Sequence, residues 1–296
     1  LRLQRKVFWV KIMKAEEFRK YLLNRGKAKN TVRAYCYAIA KMTKELGGME
    51  NLPYNAFRNY RDFLIKSGNK ESTINYKFEV VRSYLYFLIN EYGIMPETFV
   101  NNKIKLPFRT VMETASIYYE KELTINEAKK ILKEAKGRSL RDYLLLFFIV
   151  STGTRVSEAL QLKISDLDKK RVEVQSKGKS RYILIPSAFV KEAKPYVSKN
   201  KNQYMFPGRI DKPMTTRRAL DIMKFYCHKA KIPENKRFIH NLRHTYTITE
   251  LEANTDIHEI ALKLGHSTTK TLEKYSKRNE RNMRAKVNET ANKFRV

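Results

Sequence analysis

The sequence predicts a mainly α-helical chain in two domains: a helical N-terminal domain, then an α+β domain, mostly helix with one small β-hairpin or sheet. Three observations carry this. Apolar residues recur at helical spacing through the first hundred positions, with no strand signal among them. The stretch 95–123 then breaks the pattern with Pro96, Pro107 and the run 101–106 (NNKIKL). In the second half, residues 171–176 (RVEVQS) and 181–186 (RYILIP) read as two short strands, with Lys177–Ser180 as the hairpin turn.

In chain order, residues 1–12 hold an apolar run interrupted by Lys11, with no small-residue cleavage site, which argues against an export signal. Met13 can serve as a start, which would make 1–12 an upstream extension. Residues 14–26 follow as a helix with Phe18, Leu22 and Leu23 on one face and Gly26 as its stop. Thr31 opens a second helix with a stripe of Ala34, Ile39, Met42 and Leu46, closed by Gly47-Gly48. A third helix follows Pro53, and a fourth, rich in aromatics, runs from about Ser72 to Tyr92.

Residues 13–100 thus form the first domain, and 101–123 are expected as an extended basic linker. Thr124 and Glu127 have capping-box spacing and open the second domain, 124–282. Its apolar run 143–151 is too short to span a bilayer and reads as the buried central helix. After the hairpin, helix resumes at Ser187, and Thr215 or Thr216 caps a helix to about Lys231. Residues 283–296 are a polar, helix-compatible C-terminal tail.

Composition narrows the partner. Lys and Arg number 61 against 30 Asp and Glu, a net charge of +31. Such an excess suits a polyanion, and nucleic acid comes first because many phosphates must be neutralised together. A ribosomal or membrane-surface protein ranks lower, since the charge is spread over amphipathic helices rather than held in a tail. Cys36 and Cys227 stand in unrelated contexts, against both a disulfide framework and a cysteine zinc site. A reducing, cytoplasmic compartment is the expectation.

Several residues could carry chemistry. Arg155 follows Gly153-Thr154 at a break between helices, where its guanidinium could hold a phosphate through two hydrogen bonds, or pair with Glu158 one turn on. His240 and Arg243 lie one turn apart and can face one ligand. His240 and His244 have metal spacing, but HNLRH lacks the glutamate of HExxH, so zinc ranks below phosphate and His244 reads as packing. Lys177 and Lys179 sit in the hairpin, where a lysine is either solvated or able to donate a proton to a leaving oxygen. Tyr275, one of 18 tyrosines, stands nine residues after Gly265-His266. A phenol with a pKa near ~10 leaves a phosphodiester readily, so its covalent bond to DNA would be reversible. Against this stands a second reading of 256–275 as a helix-turn-helix, with His266 in the turn and Tyr275 as packing.

Taken together these residues resemble the tyrosine recombinase family, in its Xer-like and phage-integrase-like branch. The resemblance rests on TGTRVSE around Arg155, a hairpin lysine followed by glycine (Lys177), HNLR with His240 and Arg243, LGH ending at His266, and Tyr275, all in order. It extends over about 124–280, and GKAKNTVRAYCYAIAKM in the first domain looks like the family's core-binding domain.

The resemblance implies that Tyr275 attacks a DNA phosphodiester, forms a 3′-phosphotyrosyl bond and releases a 5′-hydroxyl. Arg155 and Arg243 would brace the non-bridging oxygens, with His266 hydrogen-bonding the phosphate. Lys177 would protonate the leaving oxygen, with Lys179 as understudy, and His240 would act as general acid/base. No metal, nucleotide or other cofactor is needed. The implied partner is double-stranded DNA with a specific recombination site, bound by a homotetramer whose protomers can be monomers in solution. The tail 283–296 would be either solvated or exchanged between protomers. The lack of a separate arm-binding domain leans toward the Xer-like type, with chromosome partition, over integration of a mobile element. A non-catalytic helix-turn-helix regulator and a type IB topoisomerase are the alternatives.

Overall fold

The computed structural model describes residues 14–46, 52–108, 122–169, 171–176, 179–209, 212–265 and 269. The chain divides into two compact units, Leu1–Met112 and Glu113–Val296. No described helix is long and apolar enough to cross a membrane.

Among the described residues, the first unit packs four helices around one core. Helix α1, described over 14–24, buries Phe18 and Leu22. Leu23, expected beside them, is 39 % exposed because one residue turns the side chain about 100° around the axis. Helix α2 (Lys29–Leu46) begins two residues before Thr31. Its buried stripe is Val32, Ile39 and Met42; Ala34 stands exposed, since two residues from Val32 is the opposite side of a helix. Helix α3 (Tyr54–Lys66) follows Pro53, and α4 (Glu71–Tyr92) supplies the largest share of the core with Ile74, Phe78, Leu85, Phe87 and Leu88. Gly93, at φ 64°, closes α4 in the left-handed region.

The stretch expected as linker begins differently. Strands β1 (Phe99–Val100) and β2 (Lys103–Ile104) pair antiparallel. Asn101 and Asn102 between them both take positive φ, 51° and 57°, the conformation of a two-residue I′ turn that asparagine tolerates. Ile104 and Leu106 are buried in the first unit's core. The first unit therefore contains strand as well as helix, and residues 101–106 are folded onto it rather than extended away. The alternation that would have marked these strands is only two residues long on each side.

The second unit is built around one apolar helix. Helix α5 (Ile125–Lys136) opens with the predicted box: Glu127 N–H donates to Thr124 Oγ1 at 3.1 Å, and Thr124 N–H to the Glu127 carboxylate at 2.8 Å. Helix α6 (Leu140–Thr152) buries Leu144, Leu145, Leu146, Phe148 and Ile149, and a helix apolar around most of its circumference must be central. A one-turn helix, α7 (Val156–Ala159), and the antiparallel strands β3 (Arg171–Ser176) and β4 (Lys179–Leu184) follow. Strand β4 sits two residues earlier than read from sequence, because Pro186 caps the next helix, α8 (Ser187–Val197). Thr215 caps α9 (Thr216–Lys229), accepting from Arg218 N–H at 3.2 Å. Helices α10 (His240–Glu252) and α11 (Ile257–Leu264) are the last described helices of the unit, packed together through Ile248, Leu251, Ile260 and Leu264.

Candidate active site

Arg155 is placed by the end of α6. Thr152 Oγ1 donates to the Phe148 carbonyl at 2.6 Å and also pairs with the Thr154 hydroxyl, so the last turn is tied down from within. Gly153 then reverses the chain at φ 62°. A Cβ there would strike the Tyr246 ring and the Leu264 side chain, so the position needs glycine for both space and backbone. Arg155 caps α7: its N–H and its Nη1 each donate to the Glu158 carboxylate at 2.9 Å. The pairing with Glu158 weighed from sequence is thus present. It does not withdraw the guanidinium, whose side chain stays 28 % exposed while that of Glu158 is 1 % exposed.

Glu158 also accepts from Arg181 Nη2 at 2.7 Å. Burial pushes its carboxyl up. The Arg181 hydrogen bond and charge, with the Arg155 N–H, outweigh burial and hold it below the ordinary carboxylate value. The carboxylate is therefore charged and fully engaged at neutral pH.

Helix α10 carries the next pair. Its first two turns are fixed by Asn241 Nδ2, which donates to the Lys236 carbonyl at 2.8 Å, and by Thr245 Oγ1, which donates to the Leu123 carbonyl at 3.1 Å. His240, at the first helical position, is exposed. Arg243, one turn on, is buried. Its Nη1 donates to the Gly153 carbonyl at 2.6 Å and its Nη2 to the Leu264 carbonyl at 2.7 Å. His244 is half-buried, and its ring meets that of His240 edge-on, with centroids 4.7 Å apart and planes at 86°. Among the described residues, no three His, Cys, Asp or Glu side chains gather as a metal site. Tyr246, beneath Gly153, has its phenol pushed up to about 12, chiefly by burial and then by the Glu250 charge.

The hairpin and the end of α11 close the arrangement. Val174 and Ile183 of the β3–β4 ribbon are buried, while Tyr182 and Leu184 are exposed on its other face. The period-two alternation puts Arg181 on the inward face with Ile183. There Arg181 reaches Glu158 and, through Nη1, the Lys263 carbonyl. Gly265, at φ 64°, caps α11, and a Cβ on it would collide with the Arg181 side chain. The last described pair of the ribbon, Ser176 with Lys179, is joined in sequence by Lys177 and Gly178. Lys177, His266 and Tyr275 lie outside the described residues.

Arg155, Arg243, the hairpin and the last turn of α11 are therefore linked: Arg155 to Glu158, Glu158 to Arg181, Arg181 to the Lys263 carbonyl, and the next carbonyl, that of Leu264, through Arg243 back to Gly153. Sequence reasoning missed Arg181. The available signal was an arginine on the inward face of a short strand, where a charge needs a partner.

Residues 121–282 match the Phage integrase family, and residues 15–92 match the Phage integrase, N-terminal SAM-like domain. A tyrosine recombinase XerA of Pyrococcus furiosus is 31 % identical over 274 residues, 88 % of this chain and 88 % of its own length. A tyrosine recombinase XerC of Staphylococcus carnosus is 28 % identical over 243 residues, 77 % of this chain and 78 % of the relative. Among solved structures, XerH bound to a palindromic difH substrate superposes at a TM-score of 0.70 with 18 % identity, covering 89 % of this chain and 80 % of that one. A lambda integrase (75–356) dimer on a COC′ core site gives 0.69 with 16 % identity, over 87 % of this chain and 95 % of that one. At these identities the likeness is one of fold, which is mainly helical in both domains with a small hairpin. By the matched residues and the 31 % identity with a full-length relative, the chain belongs to the phage integrase family, the tyrosine recombinases.

Proposed function

We propose that the protein binds a specific recombination site in double-stranded DNA, cuts it with Tyr275 and rejoins it. The Tyr275 phenol loses its proton to His240, and its oxygen attacks the phosphorus. A 3′-phosphotyrosyl bond forms as the bond from phosphorus to the 5′ oxygen breaks. Lys177, with Lys179 as the second choice, gives that oxygen its proton. Arg155, Arg243 and His266 surround the phosphate as negative charge builds on it, the kind of stabilisation that contributes most to such reactions. The bond energy stays in the phosphotyrosine, so the reverse attack by a 5′-hydroxyl on the same or another strand reseals the DNA.

The observation that carries this reading is the bond of Arg243 to the Gly153 carbonyl at 2.6 Å, which ties the Arg155 turn to the helix of His240. The names of the relatives, XerA and XerC, favour the Xer-like type and with it chromosome partition. The lambda integrase tetramer on a Holliday junction offers the pattern for four protomers of this chain on two duplexes, a reaction expected in the cytoplasm. The test is covalent capture. Duplexes are selected by the protein from a random pool, nicked so that the 5′-hydroxyl fragment departs, and incubated with wild type and Tyr275→Phe. An adduct with wild type alone, with DNA binding preserved in the variant, supports the reading; an adduct with both rejects Tyr275.

A further inference from the structure

Arg181 has no role in the reaction as laid out above, yet it is the residue on which three parts of the site converge. It stands on the inward face of β4, opposite Val174. One terminal nitrogen meets Glu158, which itself holds both the backbone and the side chain of Arg155. The other meets the carbonyl of Lys263, in the last turn of α11. The stem lies against Gly265, whose missing side chain makes the room for it. Its side chain is 11 % exposed against 28 % for Arg155. Both terminal nitrogens of Arg181 already meet protein acceptors, a carboxylate and a carbonyl.

We infer that Arg181 is a positioning residue that fixes the β3–β4 ribbon, whose strands flank Lys177 in sequence, against the Arg155 turn and the end of α11. The inference rests on the proposed tyrosine chemistry. A two-stranded ribbon of six residues a side has little core of its own, and only Val174 and Ile183 of it are buried hydrophobics. Without a tether the ribbon would shift, and a proton donor must stand within hydrogen-bond reach of the leaving oxygen. The forked guanidinium suits the task, because it serves a carboxylate and a carbonyl at once; an ammonium can satisfy one direction well but not both.

The test uses the full-length protein in single-turnover cleavage of the nicked duplex, with a second substrate in which sulfur replaces the bridging 5′ oxygen. A thiolate leaves without a proton, so the sulfur substrate bypasses the general acid. For Arg181→Met, cleavage of the oxygen substrate is expected to fall by about 100-fold, the scale of a misplaced catalytic group. DNA affinity should hold, and the sulfur substrate should close most of the gap to the parent protein. Arg181→Lys keeps charge and stem, guards against a folding failure, and is expected to show the same pattern in weaker form. Unchanged cleavage of the oxygen substrate by the folded variants would overturn the inference, as would equal losses on both substrates. Tyr275→Phe runs alongside: an adduct in that variant rejects the tyrosine assignment, whereas normal cleavage by Arg181→Met beside an inert Tyr275→Phe rejects only the role of Arg181.

Discussion

The guanidinium of Arg243 donates to the carbonyl of Gly153 at 2.6 Å and to that of Leu264 at 2.7 Å, so one buried side chain joins residues 90 and 21 positions away. It is a bolt between α6, α10 and α11, besides the role proposed for it at the phosphate. Arg243→Ala would leave two buried carbonyls without this donor, a loss of at least about 2 kcal/mol. We predict a drop in Tm of roughly 4–8 °C together with loss of cleavage, measured by thermal melting and adduct yield. Unchanged stability would contradict the bolt.

Arg155 is predicted to behave otherwise. In Arg155→Ala, Glu158 keeps its ion pair with Arg181, so the variant should stay within about 1 kcal/mol of the parent. Adduct formation should fall by about 100-fold or more, as when a transition-state donor is lost. Affinity should decline far less, with the salt dependence shallower by about one charge. Equal losses in cleavage and binding would make Arg155 an ordinary backbone contact.

The glycines offer a sharper steric test. Gly153 needs its left-handed backbone, and an added Cβ would enter the Tyr246 ring and Leu264. Gly153→Ala is predicted to cost more than about 2 kcal/mol, from the backbone penalty and the overpacking together. Urea unfolding of the variant checks it, and near-parental stability would show that the turn can relax.

Acid behaviour follows from Glu158. Its carboxyl lies below the ordinary value of 4.5 because the Arg181 hydrogen bond and the Arg155 N–H overcome burial. A group depressed in the folded state contributes stability above the unfolded value and loses it as pH falls through the folded one. Glu158→Gln should therefore be less stable than the parent near neutrality, and the gap should narrow as pH drops below about 4.5. Denaturant melts across that range measure it; a gap that does not change with pH would place the Glu158 effect in packing.

Much of this was legible in the residues. The capping box at Thr124, the apolar helix around Leu144, the Gly153 break and the strand 171–176 all follow from local rules of period, cap and turn. The hairpin at 99–104 was not, because two-residue strands carry too short an alternation and Asn101-Asn102 reads equally well as loop. Arg155 with Glu158 was readable as a pair one helical turn apart. Arg181 was not, since its partners Glu158 and Lys263 are 23 and 82 residues away and only the fold brings them to it. Chemistry-bearing types at fixed short spacing show in a sequence; the side chains that hold them in place need not.

Peptide mapping of the covalent DNA adduct tests the central claim most directly. Wild-type protein is trapped on the nicked duplex, digested with protease and nuclease, and the peptide that retains a nucleotide is sequenced by mass spectrometry. The predicted result is a single modified residue, Tyr275, bearing a 3′-linked nucleotide. A nucleotide on any other side chain, Tyr246 included, would contradict it.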